Sequence, residues 1–430
     1  MWPRRAAAIS AVVVDACSTG SFYPECLPAG SRCLHVQSAA DPPPLFRGSF
    51  NPRGYLENVI FDGDMAALVQ RVRAFEPRLI LAGSELGVEL GERLLAHFPE
   101  LLQNLPRPAG TRRDKHLMAR CVEEAGVAVM PQLQTDRGEE AVRWAEQRGE
   151  WPVVVKDALG SGGCGLRICP SAVEVRAAFA ELLGTRNDLN VPVRALLVQP
   201  FLVGEEYAVN TVSGGGRHYV TDVMRYVKQQ LPSGRQRLLG DELLPYEAVA
   251  ALPGLLAYAC AVLDALGIVS GPAHTEIMMT AHGPRLIESA ARPGGGCVAP
   301  QILRSCVGHS QLDVSLLAQL DVDAFAAYAQ RPYQLKQHMS WVSLIAERSG
   351  RVKALRGMDE VRALASFAAV GGLVEVGAQV RATVDLDSVA GMVVLAHPER
   401  AQVQADYRRL RELERRGLIV MEGEGEEGEG

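Results

Sequence analysis

A predicted β-hairpin near residue 280 constrains this chain more than any other feature of its sequence. Its strands, residues 273–280 and 284–290, flank a three-residue loop that ends in Gly283, and glycine takes the left-handed conformation that such loops use. When the hairpin is centred on this loop, Glu276 lies directly opposite Glu288. The sequence therefore predicts two carboxylates that face each other across one pair of strands.

Other chemically active side chains are expected on the same face of this hairpin. Side chains alternate between the two faces of a strand, which places His274 and Arg292 beside the two glutamates. Like charges directly opposite each other are destabilising, so a positive partner is expected between them. A partial set of carboxylate oxygens suits magnesium that bridges to a phosphate. The alternative is a solvated strand pair with ordinary surface charges.

Composition places the chain among globular proteins with several structural units. It has 430 residues, of which 48% are hydrophobic and 22% are charged, enough for roughly two to four units. The net charge of -6 includes five glutamates in the segment 422–430, so the rest is close to neutral and no nucleic-acid partner is expected. That segment is low in complexity and is predicted to be disordered. Nine scattered cysteines without a CxxC pair indicate reduced thiols.

The N-terminus resembles a targeting signal only in part. Two arginines precede the apolar residues 6–14, but Asp15 and Cys17 do not suit a small-residue cleavage site. No run reaches the ~18 apolar residues of a membrane span. We therefore expect a cytoplasmic protein with no membrane partner, in which residues 11–14 form a first buried strand.

The first 112 residues are expected to form a small α/β unit. A second strand at residues 78–82 precedes Gly83-Ser84-Glu85, and a helix is predicted over residues 88–98. Open α/β sheets bind ligands in the loops at the carboxyl ends of their strands. Glu85 is therefore a candidate for binding a substrate amine, and the alternative is a carboxylate that only stabilises a helix N-terminus.

A glycine-rich loop follows a strongly apolar strand, residues 151–156, that ends in Lys156. The loop, residues 160–165, reads GSGGCG, and such loops give backbone N–H groups access to phosphate oxygens. Lys115 lies in a helix predicted over residues 111–126. Two lysines combined with a glycine loop indicate a triphosphate site.

The same loop matches the dinucleotide-binding pattern G-x-G-x-x-G, which makes an NAD oxidoreductase an alternative. That fingerprint requires a helix to begin within the motif. Here residues 166–169 read as a strand, and the next helix begins at Ser171, with Glu174 completing a capping box. No Lys-Ser/Thr pair follows, so a Walker loop is absent. The loop is therefore predicted to hold phosphates between two strands.

A further nucleotide contact is predicted within residues 195–210. A buried strand ends at Gln199, a Pro-Phe-Leu-Val-Gly segment breaks it, and another strand begins near Glu206. The pair Phe201 and Leu202 can form a flat slot for a base, with the carboxylate beyond it for a ribose. Taken alone, the pair is more typical of a hydrophobic core.

Further elements are predicted from apolar spacing and turn signals. They are a hairpin over residues 211–226, a helix over 253–267, strands over 338–346, 373–376 and 379–383, and a charged helix over 402–416.

In this order the motifs resemble the ATP-grasp superfamily, and specifically the L-amino-acid ligases that make dipeptides and related amides. The resemblance extends from the opening strand to about residue 420. It implies an ATP-grasp fold of α/β and α+β parts. Its divisions would be a Rossmann-like N-terminal domain (1–112), a lid subdomain (113–210), a central catalytic subdomain (211–330), a C-terminal α+β lobe (331–421) and a disordered acidic tail (422–430).

The resemblance also implies roles for individual residues. Two magnesium ions, which manganese can replace, would be held by Glu276 and Glu288. Arg292 would stabilise the transferred phosphoryl group, and His274 is either a catalytic group or a structural histidine. The ATP-binding residues would be Lys115, Lys156, Gly160, Ser161, Gly162, Gly163, Gln199, Phe201, Leu202 and Glu206. The substrate residues would be Glu85, Gly294 and Gly295.

Three residues depart from the family pattern. Ala290 stands where Asn is frequent, so a third metal ligand is missing or comes from elsewhere. Gln199 stands where many relatives have Glu, and Asp157 follows Lys156 where Pro is usual. Neither of these two changes removes a charge needed for phosphate binding.

The implied function is an ATP-dependent, ADP-forming ligase. It would join the carboxylate of one amino acid, or a similar small acid, to the amine of another through an acyl phosphate. Amino acids are the expected partners, and a homodimer is expected from the family. The alternatives are a biotin-carboxylase-like or peptide-modifying ligase and a nucleotide-binding module without turnover.

Overall fold

The computed structural model describes residues 7–43, 46 and 48–422. The predictions for residues 1–6 and for the tail beyond residue 422 lie outside these residues. Within the described residues the strands are β1 Ser10–Val14, β2 Arg32–Gln37, β3 Glu57–Ile60, β4 Leu79–Ala82, β5 Leu133–Thr135, β6 Val153–Lys156, β7 Arg167–Cys169, β8 Leu196–Pro200, β9 Gly204–Gly214, β10 Arg217–Gln230, β11 Gln236–Leu243, β12 Gly271–Thr280, β13 Gly283–Ala290, β14 His338–Ser343, β15 Gly350–Leu355, β16 Phe367–Gly371, β17 Gln379–Val380, β18 Met392–His397 and β19 Ile419–Met421.

The helices connect and cover four sheets. They are α1 Tyr23–Cys26, α2 Met65–Ala74, α3 Gly87–Leu95, α4 Lys115–Glu124, α5 Gly138–Arg148, α6 Ala172–Leu182, α7 Tyr246–Ala250, α8 Leu255–Leu266, α9 Pro300–Val307, α10 Gln311–Leu320, α11 Val322–Tyr328, α12 Met358–Arg362 and α13 Arg400–Arg415, with 3-10 turns at Ser18–Phe22, Pro52–Gly54 and Leu386–Ser388. None of these helices has the length and apolarity needed to cross a membrane.

The N-terminal unit is a parallel sheet in the order β3-β2-β1-β4. Its apolar strands are buried on both faces, as expected for a parallel sheet: α2 and α3 pack on one face, and α1 and α10 pack on the other. The carboxyl ends of β1 and β4 direct two loops toward the rest of the chain. Gly83 is required in one of them, because an added Cβ would lie 2.6 Å from the carbonyl oxygen of Asp15.

A second unit is an antiparallel sheet in the order β5-β8-β6-β7, covered by α5 and α6. The glycine-rich loop joins β6 to β7, and α6 begins only at Ala172, with Ser171 as its cap. The loop therefore lies between two strands, as predicted, and does not open a helix.

The central sheet has the order β13-β12-β9-β10-β11-β14-β18-β16. One face packs against α4 and α8 and, further along, against α13. The opposite face is covered at one end by α9, α10 and α11. We call this opposite face the catalytic face, because it carries the predicted carboxylates.

The predicted hairpin is formed by β12 and β13. Gly283 has φ of +89°, the left-handed conformation that the prediction requires. The strands pair Thr280 with Gly283, so the loop has two residues and not the predicted three, and the register shift next to Glu276 brings Glu288 opposite it. The facing carboxylates are therefore present, and the irregularity in the ladder is part of what aligns them.

The C-terminal region differs most from the sequence-based expectation. The strand predicted at residues 373–376 is wrong, since this segment is irregular and ends in a turn. The strand predicted at 379–383 is reduced to Gln379–Val380. Leu373 and Val374 still pack against the core of this lobe, which explains their apolar pattern without a strand.

Candidate active site

The two central carboxylates are held by different partners. Glu288 Oε2 lies 2.8 Å from the ammonium of Lys115, with which it forms an ion pair. Glu276 Oε1 accepts from the Tyr226 hydroxyl at 3.0 Å and lies 3.4 Å from His274 Nε2. Burial raises the pKa of Glu276, but His274, Lys228 and Tyr226 outweigh it and hold the carboxyl well below its usual range. It is therefore an anion at neutral pH.

Two buried lysines flank the glycine-rich loop. Lys115 opens α4, where Asp114 caps the helix by accepting from two backbone N–H groups, and its ammonium also donates to the carbonyl of Gly160 at 2.6 Å. Lys156 ends β6 and is only 8% exposed, and no hydrogen bond or ion pair joins its ammonium to the described residues. Burial, and then the nearby Lys115, lowers the pKa of Lys156 to about 8. A buried ammonium without a partner is suited to an anionic ligand.

The lowered pKa of Lys156 predicts a pH effect on ATP binding. Below pH 8 the ammonium is charged and attracts phosphate, whereas above pH 8 the free enzyme loses that proton. Because binding and protonation are linked, the KM for ATP is expected to rise about tenfold between pH 7 and pH 9. Steady-state kinetics over this range check it, with Lys156→Arg as a control that stays charged. A KM for ATP that is constant across the range in the parent enzyme would contradict the assignment.

Glu85 lies between two arginines, and its position is not that of a simple helix-terminus carboxylate. Its oxygens lie 3.2 Å from Arg113 Nη1 and 2.8 Å from Arg292 Nε. Burial raises the pKa of Glu85, but the charges of Arg292, Arg113 and Lys115 lower it by more than burial raises it. The net pKa is therefore below its ordinary value, and the carboxyl group is charged. Glu85, in the loop after β4, therefore holds Arg292 in place. Neither of its oxygens is both accessible and unpaired, so neither is free to bind a substrate amine.

The predicted ribose carboxylate, Glu206, accepts from Lys228 at 2.6 Å. Gln199 is buried and donates to Gln132. Phe201 and Leu202 are only partly buried, so they are not ordinary core residues. The structure places these four side chains along the connection from β8 to β9, between the second sheet and the central sheet.

His274 is oriented by the neighbouring strand. Its Nδ1 lies 2.7 Å from Asn210 Oδ1, and the Asn210 amide donates to Asp222 at 2.6 Å. Ala290 lies opposite His274 in the ladder. Both ends of the Asn210 side chain are engaged, so Asn210 does not replace the Asn that the family pattern has at position 290.

The glycine-rich loop contacts two other parts of the molecule. The Ser161 hydroxyl donates to Asp188 at 2.5 Å, and the carbonyl of Gly162 accepts from Leu386 N at 3.2 Å. Gly162 and Gly163 have positive φ, +59° and +75°. In this conformation the loop contacts the C-terminal lobe through Gly162. At the start of the loop, the carbonyl of Gly160 accepts a hydrogen bond from Lys115.

The glycines after Arg292 pass over the catalytic face. An added Cβ at Gly294 would lie 2.7 Å from Asn210 Oδ1, whereas one at Gly295 would meet nothing within 4 Å. The carbonyl of Gly295 accepts from Thr19 in the N-terminal unit. Close packing against Asn210 therefore requires glycine at position 294, whereas open space lies beside Gly295.

The carboxylate pair has the donor set that magnesium needs together with a nucleotide. Glu276 Oε2 and Glu288 Oε1 make no hydrogen bond with the described residues. No group of three or more His, Cys, Asp or Glu side chains in this part of the chain can hold a metal ion by itself. Magnesium usually keeps water and is bound by one or two carboxylates plus substrate phosphates. The residues therefore fit a metal that arrives with ATP.

Several residues of this site were not singled out from the sequence. Tyr226 and Lys228 stand two positions apart on β10 and so share the catalytic face, a period-two signal that was available. Arg113 adjoins the predicted Lys115. Asn210 and Asp222 gave no local signal, since their pairing depends on the register of β9 and β10.

Comparisons with known families match two parts of the chain. The L-amino acid ligase C-terminal domain 2 matches residues 342–413. The ATP binding domain of the carbamoyl-phosphate synthase L chain matches residues 114–203, which include both lysines and the glycine-rich loop.

Individual proteins extend the likeness over most of the chain. It is 29% identical to dapdiamide A synthase of Enterobacter agglomerans over 413 residues, 94% of this chain and 95% of that protein. It is 25% identical to an L-arginine-specific L-amino acid ligase of Bacillus subtilis over 195 residues, 44% of this chain and 46% of that protein. The crystal structure of an L-amino acid ligase from Bacillus licheniformis has a TM-score of 0.74 at 18% identity, covering 96% of this chain and 99% of that chain.

Fold and matches together define an ATP-grasp enzyme. Within that class its sequence matches the L-amino acid ligase C-terminal domain 2 and is similar to dapdiamide A synthase over most of its length, and it is an ATP-dependent carboxylate-amine ligase. The family, the fold class and the enzyme class predicted from the sequence are confirmed.

Proposed function

We propose that this enzyme joins the carboxylate of one amino acid, or a similar small acid, to the amine of another, and that it forms ADP and phosphate through an acyl phosphate. The observation that carries the proposal is the pair Glu276 and Glu288, opposed across β12 and β13 with one oxygen each unbonded. Lys115, Lys156 and Arg292 supply positive charge beside it. This is the arrangement needed to bring a carboxylate and a triphosphate together despite their repulsion.

Each of these residues has its own role in the first step, the transfer of the γ-phosphoryl group to the donor carboxylate. Lys156, which lacks a partner, and Lys115 bind phosphate oxygens, while the N–H groups of the glycine-rich loop cover them. Glu276 and Glu288 would hold magnesium that arrives with ATP, and this ion would supply positive charge that offsets the charge of the triphosphate. Arg292, held by Glu85, stabilises the transferred phosphoryl group. An oxygen of the donor carboxylate attacks the γ-phosphorus, and ADP leaves.

The second step requires a neutral amine at the acyl carbon. The amine attacks, and phosphate departs with the oxygen it took from the carboxylate. His274 is held through Nδ1 by Asn210, so its Nε2 faces the site beside Glu276 and is placed to take the proton that the amine loses.

The remaining assignments are proposals of the same kind. Gln199, Phe201, Leu202 and Glu206 bind the adenosine, and Gly294 and Gly295 line the amino-acid site. We also propose two magnesium ions replaceable by manganese, a homodimer, a cytoplasmic location and domain divisions at residues 112, 210 and 330. The free cysteines of the described residues support a reducing compartment.

The experiment that tests the proposal measures phosphate release with ATP and magnesium over a matrix of amino-acid pairs, with product masses determined for active pairs. Release that requires two amino acids, with a condensation product of matching mass, is the expected result. Release that requires bicarbonate, or a peptide, would instead support a biotin-carboxylase-like or peptide-modifying ligase.

A further inference from the structure

Asp241 lies on the catalytic face in one row with two residues of the active site. It is the direct cross-strand neighbour of Tyr226 on β10 and of Trp341 on β14. The Tyr226 hydroxyl reaches Glu276, and Trp341 Nε1 donates to the carbonyl of Gly296 at 3.0 Å. Directly opposed residues share a face, so Asp241 faces the space under the glycine segment that follows Arg292.

This carboxylate differs from the others on the same face in having no side-chain partner. Glu206 is paired with Lys228, Glu288 with Lys115, and Asp222 with Asn210. Asp241 Oδ1 is fully buried without a hydrogen bond, and no ion pair joins Asp241 to the described residues. Burial raises the pKa of Asp241 to about 7; a backbone hydrogen bond from Trp341 opposes this shift in part, and the charge of Asp222 adds to it.

A buried carboxylate without a cationic partner is costly, because one backbone hydrogen bond does not replace the hydration that its charge has lost. The cost is avoided when a cation from outside the chain binds there. Cations of the chain itself are already engaged nearby: Lys228 binds Glu206 and Arg292 binds Glu85. We propose that Asp241 binds a positively charged group of an amino-acid substrate, an inference that rests on the proposed ligase function.

Two considerations identify the kind of group. An amine that attacks the acyl carbon must be neutral, and a carboxylate next to it would stabilise its unreactive charged form, so the bound cation is not the attacking amine. The side chain of Tyr226 spans the distance from the row of Asp241 to Glu276. A cation at Asp241 would therefore lie about one long side chain from Glu276, beside which the donor carboxylate is proposed to react. An amino acid with an ammonium or guanidinium side chain has this geometry, whereas an α-ammonium, two bonds from its carboxylate, does not.

The test measures binding and does not require turnover. Calorimetry is done with magnesium and a non-hydrolysable ATP analogue present, and it compares lysine, ornithine and arginine with the neutral analogues norleucine and norvaline. The parent enzyme is expected to bind at least one cationic amino acid tenfold or more tightly than the neutral analogue. Asp241→Asn, which keeps the shape, is expected to remove that preference and to leave the affinity for the ATP analogue within twofold.

Glu242→Gln is the matched control. Glu242 is the next residue on β11, points to the other face, and binds Arg225 and Arg400. The Glu242→Gln substitution removes the same charge as Asp241→Asn, and it should leave the preference for cationic over neutral amino acids unchanged. A parent enzyme without the preference, or an Asp241→Asn variant that keeps it, would overturn the inference. If the preference is found and is lost in Asp241→Asn, while no amino-acid pair releases phosphate, the proposed ligation fails and the cation site stands.

Discussion

Replacing Glu288 with Gln is expected to lower turnover by about 10²-fold or more, which corresponds to roughly 3 kcal/mol of lost transition-state stabilisation. The change keeps the shape of the side chain but removes one of the two negative charges that face each other across the hairpin. It also releases Lys115 from its ion pair. Glu276→Gln is expected to behave similarly, with a raised magnesium requirement. The double variant should lose less than the sum of the two, because both carboxylates serve one site.

The matched control for these variants is Glu205→Gln. Glu205 lies on β9 in the same sheet, is exposed, and contacts Arg225 and Tyr207, so the same loss of charge there should leave turnover unchanged. If both catalytic-face variants retain turnover within about twofold of the parent, the carboxylate pair has no part in the reaction. A solvated strand pair with ordinary charges would give that result.

Replacing Arg292 with Ala is expected to lower turnover by about 10²- to 10³-fold and also to lower the melting temperature. The activity is lost because a cation next to the transferred phosphoryl group is removed. The stability is lost because Glu85 is buried and keeps only Arg113 as a partner. Breaking a buried ion pair typically costs about 3–5 kcal/mol, and the remaining arginine should reduce that cost.

A double variant separates the two effects. Adding Glu85→Gln to Arg292→Ala removes a buried charge that has lost one of its two partners, so the melting temperature should recover in part while turnover stays low. Thermal unfolding and steady-state kinetics on the parent, both single variants and the double variant provide the comparison. Recovery of turnover along with stability would show that Arg292 only supports the fold and does not act on the phosphoryl group.

The local sequence pattern was sufficient to predict those parts of the site that lie within one contiguous segment of the chain. The sequence pattern predicted a short hairpin with facing glutamates but with a loop one residue too long, and the register shift between Glu276 and Ile277 restores the predicted pairing. The glycine-rich loop could be placed between two strands because the residues after it read as a strand. Both cases depend on interactions within about twenty residues.

The local sequence pattern did not predict the role of a residue whose contacts lie far away in the chain. Glu85 was interpreted from its own loop, but its role is set by Arg113 and Arg292, the latter 207 positions away. In the C-terminal lobe, Val374 is held by a single backbone hydrogen bond to Ala390 and packs in the core without a partner strand. An apolar segment can be buried without forming a strand, and alternation alone does not distinguish the two.

The measurement that tests the acyl-phosphate route most directly follows an oxygen atom. The donor amino acid is labelled with ¹⁸O in its carboxylate, and the released nucleotide and phosphate are analysed by mass spectrometry. The attack of carboxylate on the γ-phosphorus predicts ADP as the nucleotide product and one ¹⁸O in each released phosphate. AMP with pyrophosphate as products, with the label carried by AMP, would contradict the proposed mechanism.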